Sequence, residues 1–161
     1  MSPLVTILLM FSAFTLHVPA QSSPTFNDYK VAVYTGAMHW PKWIRRVGDD
    51  EWRDELDKLV EPPVVNFAGR YFVAVHSCGT GCRYYTMTDL SSGRELSLLK
   101  DFGAADLLTR ANSKLLVAQY HVNSPRGEEC RERAFLFDGK LITPLTNTRR
   151  TCTRKEESND Y

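Results

Sequence analysis

The rhythm of apolar and polar positions changes several times along this chain. Leu4 to Leu16 is almost wholly apolar and uncharged, a run too short to span a bilayer comfortably. Val18-Pro19-Ala20 then offers small residues of the kind a signal peptidase reads, so residues 1–20 are expected to be a signal peptide cut before Gln21. Retention of the segment as an anchor, or its burial as a strand or helix, are the alternatives. Gln21 to Pro24 is a polar leader. Tyr29 to Tyr34 alternates weakly, as an edge strand does, and His39-Trp40-Pro41 breaks what precedes it. Between Asp49 and Val60 the period lengthens. Trp52, Leu56, Leu59 and Val60 recur at i, i+4, i+7 and i+8, acidic residues fill the first turn, and Pro62-Pro63 stops the element. This spacing predicts one amphipathic helix.

From Val64 onward the pattern is that of β structure. Arg70 to Ser77 is apolar on both faces, with Tyr71, Val73 and Val75 on one and Phe72, Ala74 and His76 on the other, which predicts a central strand. Cys78 to Cys82 makes a turn, and Arg83 to Asp89 returns as the partner strand. Ser91-Ser92-Gly93 turns again into a third strand, Arg94 to Leu99. Leu115 to His121 and Arg133 to Phe137 supply two more. Asp138-Gly139 is a two-residue hairpin signal leading into Lys140 to Ile142. The expected fold class is therefore α+β and mainly β. It is an antiparallel meander of six or seven strands with one packed helix, forming a single domain over residues 21–152. The hairpins around Ser92 and Gly139 hint at a blade-like repeat, but two examples do not set a period. Thr153 to Tyr161 has no core-forming pattern and reads as a flexible charged tail.

Composition narrows the function classes. The 161 residues include 20 basic and 19 acidic side chains, a formal charge of +1 that leaves no excess of cations to displace phosphate counterions. A nucleic-acid partner is not expected. After the N-terminal run, no apolar stretch is long enough for a membrane span, so no stable span is expected once the leader is cut. Four cysteines remain in the mature chain: Cys78, Cys82, Cys130 and Cys152. An even number in an exported protein points to disulfides. Of the three possible pairings, spacing favours Cys78–Cys82 with Cys130–Cys152. Loop-closure entropy would give the short bridge about 2 kcal/mol and the longer one about 3.4 kcal/mol.

The densest chemistry lies in Asn66-Phe67-Ala68-Gly69-Arg70-Tyr71 and Cys78-Gly79-Thr80-Gly81-Cys82. Gly69 lets the backbone bend into the strand, and Asn66 is expected to bond its own backbone and fix the preceding turn. The Cys-Gly-Thr-Gly-Cys loop reads as a hairpin tip cross-linked at its base. Such a tip presents a loop to a partner at little ordering cost, and it serves equally to hold an ordinary hairpin together. Gly79, Thr80 and Gly81 with Arg83 and Tyr84 at the base are the candidate partner-binding residues, Arg and Tyr being enriched at binding hot spots. The plain alternative has Arg83 solvated and Tyr84 packed on the helix. A second possibility is a soft-metal site of His76, Cys78 and Cys82. Against it, C-x3-C is a poor zinc spacing and an oxidising compartment favours the disulfide.

The segment from Asn66 to Cys82 resembles a group of short exported bacterial proteins that share an N-F-A-G-x-Y strand start and a C-G-T/S-x-C turn. The resemblance implies bacterial export and a small β-rich domain, and brings no assigned activity. A looser likeness is to the Ivy-type inhibitors of vertebrate lysozyme, which also carry a strand, a disulfide-closed loop and a returning strand after a helical segment. In those inhibitors the loop is longer and presents a His. Here the loop has none, and the nearest is His76 in the strand.

Motifs for catalysis are missing. The sequence contains no G-x-S-x-G, H-E-x-x-H, glycine-rich phosphate loop, C-x-x-C or C-x-x-C-H. His121 closes a strand and is placed to face Glu128 or Glu129. Trp40 and Trp43, beside His39, read as core caps or as a binding surface. Arg45-Arg46 and Arg149-Arg150 read as solvated charge pairs. No catalytic residue and no cofactor are expected. The leading expectation is a periplasmic or secreted, non-enzymatic binding protein, an inhibitor or immunity-type partner of an envelope protein such as a cell-wall hydrolase. A small metal-handling or hydrolytic protein using His76 or His121 is the alternative.

Overall fold

The computed structural model describes residues 23–80, 82–125, 127–146 and 149–152. The expected signal peptide (1–20) and charged tail (153–161) lie outside the described residues. A 3-10 turn over Phe26–Tyr29 opens the described chain. Strands β1 (Ile44–Arg46), β2 (Trp52–Asp54) and β3 (Leu59–Val60) form a small antiparallel sheet. A second sheet follows from β4 (Tyr71–Gly79), β5 (Cys82–Asp89) and β6 (Arg94–Leu96). After a 3-10 turn at Lys100–Phe102, the third sheet is built from β7 (Asp106–Leu108), β8 (Leu115–Ser124), β9 (Gly127–Phe137), β10 (Ile142–Pro144) and β11 (Arg150–Thr151). The fold is mainly β, but three sheets replace the single meander. None of the described helical segments is long and apolar enough to cross a membrane.

The amphipathic helix over 49–60 is not formed. Trp52 alone of its apolar stripe is buried; Leu56 and Leu59 are each 69% exposed, so the helical spacing marks no core-facing surface. Asp54 settles the alternative. Its Oδ1 accepts from the N–H groups of Leu56 and Lys58, both at 2.9 Å, and its own N–H donates to the Lys58 carbonyl. Asp57 completes the turn at φ +63°. An aspartate that captures the backbone locally competes with the helix and closes the hairpin between β2 and β3.

Other expectations shift for related reasons. The segment 29–34 makes one bridge, Lys30 with Ser113, rather than a strand. The third strand ends at Leu96, because Leu99 is buried at the start of the second 3-10 turn. Phe137 pairs with Ile142, so the Asp138-Gly139 hairpin has a four-residue loop. Asp138 Oδ1 accepts from the N–H groups of Lys140 and Leu141 and shapes it, which holds its carboxyl pKa below the ordinary value. The strand expected to be central, β4, lies at an edge: β5 pairs along one side only.

The core lies between the second and third sheets. Tyr71 and Met87 from β4 and β5 meet Leu116, Ala118, Phe135 and Phe137 from β8 and β9, with Phe67, Leu99, Phe102 and Ala105 from connecting segments. Phe137 is the hub, with its ring 4.9 Å from Tyr71 edge-on and 5.5 Å from Phe67. The alternate positions of β8, Leu115 and Val117, face the other way and are covered by Phe26, Tyr29, Leu108 and Leu145. Burial on both faces explains why β8 reads as a continuous apolar run. One bridge, Cys130–Cys152, ties the chain beyond β11 to β9, where Cys152 N–H also donates to the Cys130 carbonyl.

The turn before β4 is built by Ala68 and Gly69, at φ +45° and +83°. Gly69 is required twice over, since a Cβ there would also collide with the Ala32 carbonyl oxygen. Asn66 does not bond its own turn. Its carboxamide reaches seven residues on, accepting from Val73 N–H at 2.7 Å and donating to the Val73 carbonyl at 2.8 Å.

Candidate partner-binding hairpin

Strands β4 and β5 pair from Tyr71 with Asp89 to Ser77 with Arg83, then slip at a bulge so that Gly79 faces Cys82. The Cys78–Cys82 bridge closes this end, with Cα atoms 5.1 Å apart. Gly79 sits at φ +127°, a conformation that disfavours any Cβ, yet a Cβ there would meet nothing within 4 Å. The requirement is therefore conformational, and the tip stands in open space. Ser77, Cys78, Gly79, Thr80, Cys82 and Tyr84 are all exposed; Gly81 lies outside the described residues.

Alternation along β5 separates the two residues expected to flank the tip together. Tyr84 points to the face that carries His76, and Arg83 to the face that carries Met87. On the first face, the Tyr84 ring stacks on His76 at 4.7 Å and 10°. Trp43 meets the same imidazole edge-on at 4.5 Å, and His76 Nε2 lies 2.8 Å from Thr86 Oγ1. Trp43 thus docks the chain leading into β1 against the hairpin, and its own Nε1 is buried without a hydrogen-bond partner. Desolvation between these rings lowers the His76 pKa below its ordinary value, against the opposing pull of Glu55, Asp54 and Glu95. Tyr84 remains 44% exposed and packs on an imidazole rather than on a helix.

On the opposite face, Arg83 is not a free cation. Its guanidinium pairs with Asp106, and its Nε donates to the Gly103 carbonyl at 3.3 Å. Tyr85, next along, donates from its hydroxyl to the Ala105 carbonyl at 2.7 Å. The hairpin base is consequently fastened on both sides, to the segment 103–106 on one and through Trp43 on the other. Sequence reasoning missed the 103–106 anchor, whose bonds run mostly through backbone carbonyls and leave no residue-type signal.

The residues of the metal alternative are engaged with other partners in this geometry. Cys78 and Cys82 are bonded to each other and present no thiolate, while His76 is enclosed by two aromatic rings. Among the described residues no group of three or more His, Cys, Asp or Glu side chains is arranged so that it could hold a metal ion. His121 does face Glu128, with 3.2 Å from Nδ1 to Oε1, and its Nε2 lies 3.4 Å from Asp106 Oδ2. Both ring nitrogens face carboxylates, so the imidazole links β7 to the start of β9. Trp40 lies edge-on against Trp52 at 4.7 Å, and Arg149 lies over the Tyr120 ring at 4.1 Å. A separate open cleft of about 400 Å³ lies over Tyr71 and Phe137, between Gly69 and Lys114, and Arg70 in its wall is paired with Asp89 at 3.1 Å.

Comparison with known proteins gives no further guide: no family model, curated protein or solved structure matches this chain.

Proposed function

We propose that this chain is an exported, non-enzymatic binding protein that engages an envelope protein, such as a cell-wall hydrolase, through the β4–β5 hairpin, as an inhibitor or immunity-type partner. The observation that carries this reading is the contrast along one hairpin. Its base is held by Arg83–Asp106, Tyr85–Ala105 and the Trp43–His76–Tyr84 stack, and its disulfide-closed tip makes none of these contacts. Rigid support beneath an exposed loop lowers the ordering cost of binding. Thr80 offers exposed backbone groups at the apex, and Tyr84 adds an exposed aromatic on one flank. Export is supported by the N-terminal apolar run and by cysteines that all form bridges among the described residues.

The test is inhibition of a panel of lysozymes and lytic transglycosylases on a cell-wall suspension, using the mature disulfide-bonded chain. At least one enzyme is expected to be inhibited stoichiometrically. Thr80→Trp is expected to weaken that inhibition about tenfold or more while leaving the thermal midpoint within about 2 °C of the native one. A native-strength inhibitor carrying Thr80→Trp would remove the tip from the interface and move the search to Trp40, Trp43 and Arg45. No inhibition across the panel would reject the hydrolase as the partner.

A further inference from the structure

The free side of β4 differs from the short edge strands of the three sheets. Edge strands β1, β6, β7, β10 and β11 have two or three residues each and carry Arg45 and Arg46, Arg94 and Glu95, Asp106, Pro144, or Arg150. Edge strand β3 has only two residues. Short length, charge and proline are the usual protections of an edge against pairing with another chain. Strand β4 has nine residues, Tyr71–Gly79, with no Asp, Glu, Lys, Arg or Pro among them. Val75 is 62% exposed on it and Ser77 is exposed.

Hydrogen bonding shows which groups face outward. Tyr71 exchanges bonds with Phe67 on the side away from β5, and Val73 does so with the Asn66 carboxamide. Because backbone groups alternate sides along a strand, Ala74 and His76 bond toward β5, while Val75 and Ser77 direct their N–H and C=O groups outward. Neither has a hydrogen-bond partner for those groups among the described residues. Asn66 also demonstrates that this edge accepts an amide in strand-like geometry, since its side chain occupies the place of a neighbouring peptide group.

We infer that the β4 edge from Val75 to Ser77 binds an extended segment of a partner protein by β-strand addition, with a β-branched or aromatic residue of that segment lying beside Val75. The inference rests on the reading of this hairpin as the binding element, and it names how the partner is held. Backbone bonds from Val75 and Ser77 supply the ladder, and the exposed Val75 side chain supplies a cross-strand contact. Asn66 stops the ladder at Val73. A symmetric antiparallel pairing of two copies about His76 would set Gly79 of one copy opposite Val73 of the other, where Asn66 already sits. The open stretch therefore suits a separate extended segment rather than a second β4.

The experiment uses decapeptides selected from a phage-displayed library on the full mature, disulfide-bonded chain. Amide exchange at Val75 and Ser77 is expected to slow about tenfold or more in the bound state, with Ala74 and His76 little changed because they already bond to β5. Val75→Pro removes an outward N–H without removing a β4–β5 bond, and is expected to weaken peptide affinity about tenfold or more. Should that variant fold poorly, Val75→Lys places a charge on the same edge and is expected to act alike. Methylating peptide nitrogens one at a time is expected to abolish binding at alternate positions only. The inference is overturned by a library that yields no ligand, or by peptides that leave Val75 and Ser77 exchange unchanged. Protection that grows with protein concentration in the absence of peptide also overturns it, because a second copy then fills the edge. Peptides that are lost with Thr80→Trp but retained with Val75→Pro remove strand addition alone, and leave the tip as the binding element.

Discussion

Replacing Asn66 with alanine tests the account of how β4 is held. Its carboxamide makes two hydrogen bonds, 2.7 Å from Val73 N–H and 2.8 Å to the Val73 carbonyl, at a partly buried position. Each such bond contributes about 1 kcal/mol net, and a polar group left unpaired costs a further fraction of its desolvation energy. Val73 is itself only partly buried, so water can reach the vacated groups and recover some of the loss. The expected destabilisation of Asn66→Ala is thus about 2 kcal/mol, a drop of several degrees in thermal midpoint for a chain of this length. Equilibrium urea unfolding under non-reducing conditions measures it, with the slope of the transition unchanged. Asn66→Asp separates hydrogen bonding from side-chain volume. It keeps the acceptor for Val73 N–H but turns a carboxylate oxygen toward the Val73 carbonyl, so it should destabilise at neutral pH and recover part of the loss when protonated. An Asn66→Ala variant within about 0.5 kcal/mol of the native chain would refute the view that the carboxamide replaces a strand partner.

Gly69→Ala should be among the most damaging single substitutions, costing about 3 kcal/mol, because it combines a left-handed φ with a collision against Ala32; a thermal midpoint within 2–3 °C of native would contradict that backbone geometry. The His76 pKa is lowered in the folded state, so its contribution is complete above the unfolded value and is lost as pH falls through the lower folded value. Stability measured from pH 7 down to pH 5 should therefore fall more steeply in the native protein than in His76→Gln, and parallel curves would show that the Trp43–His76–Tyr84 stack exerts no desolvation.

Local signals were enough for much of the β structure. Tyr71–Gly79 and Cys82–Asp89 are apolar or alternating runs joined by turn residues, and the runs 115–121 and 133–137 mark parts of β8 and β9. The hairpin between those two strands was not legible, because Glu128 to Arg133 is mostly charged. The two disulfides follow from spacing in the same way, because each bridge closes within or beside one hairpin. The special role of Gly69 was also legible, as a tight turn into a strand has few other solutions.

The remaining features depend on contacts distant in sequence. Trp52, Leu56 and Leu59 have helical spacing, but spacing describes a face only if something packs on it, and Leu56 and Leu59 face solvent while Asp54 closes a turn. The apolar pattern of β4 matched a central strand because Phe67, Asn66, Met87 and Trp43 surround it, and only their placement shows that one side of the ladder is open. Arg83 and Tyr84 are adjacent in sequence yet lie on opposite faces, one bound to Asp106 and the other stacked on His76. Alternation decided that they part, and tertiary packing decided what each one meets. Sequence sets the local period and the turns; which face is buried, and which edge is left unpaired, is settled by the burial and hydrogen bonding of the assembled sheets.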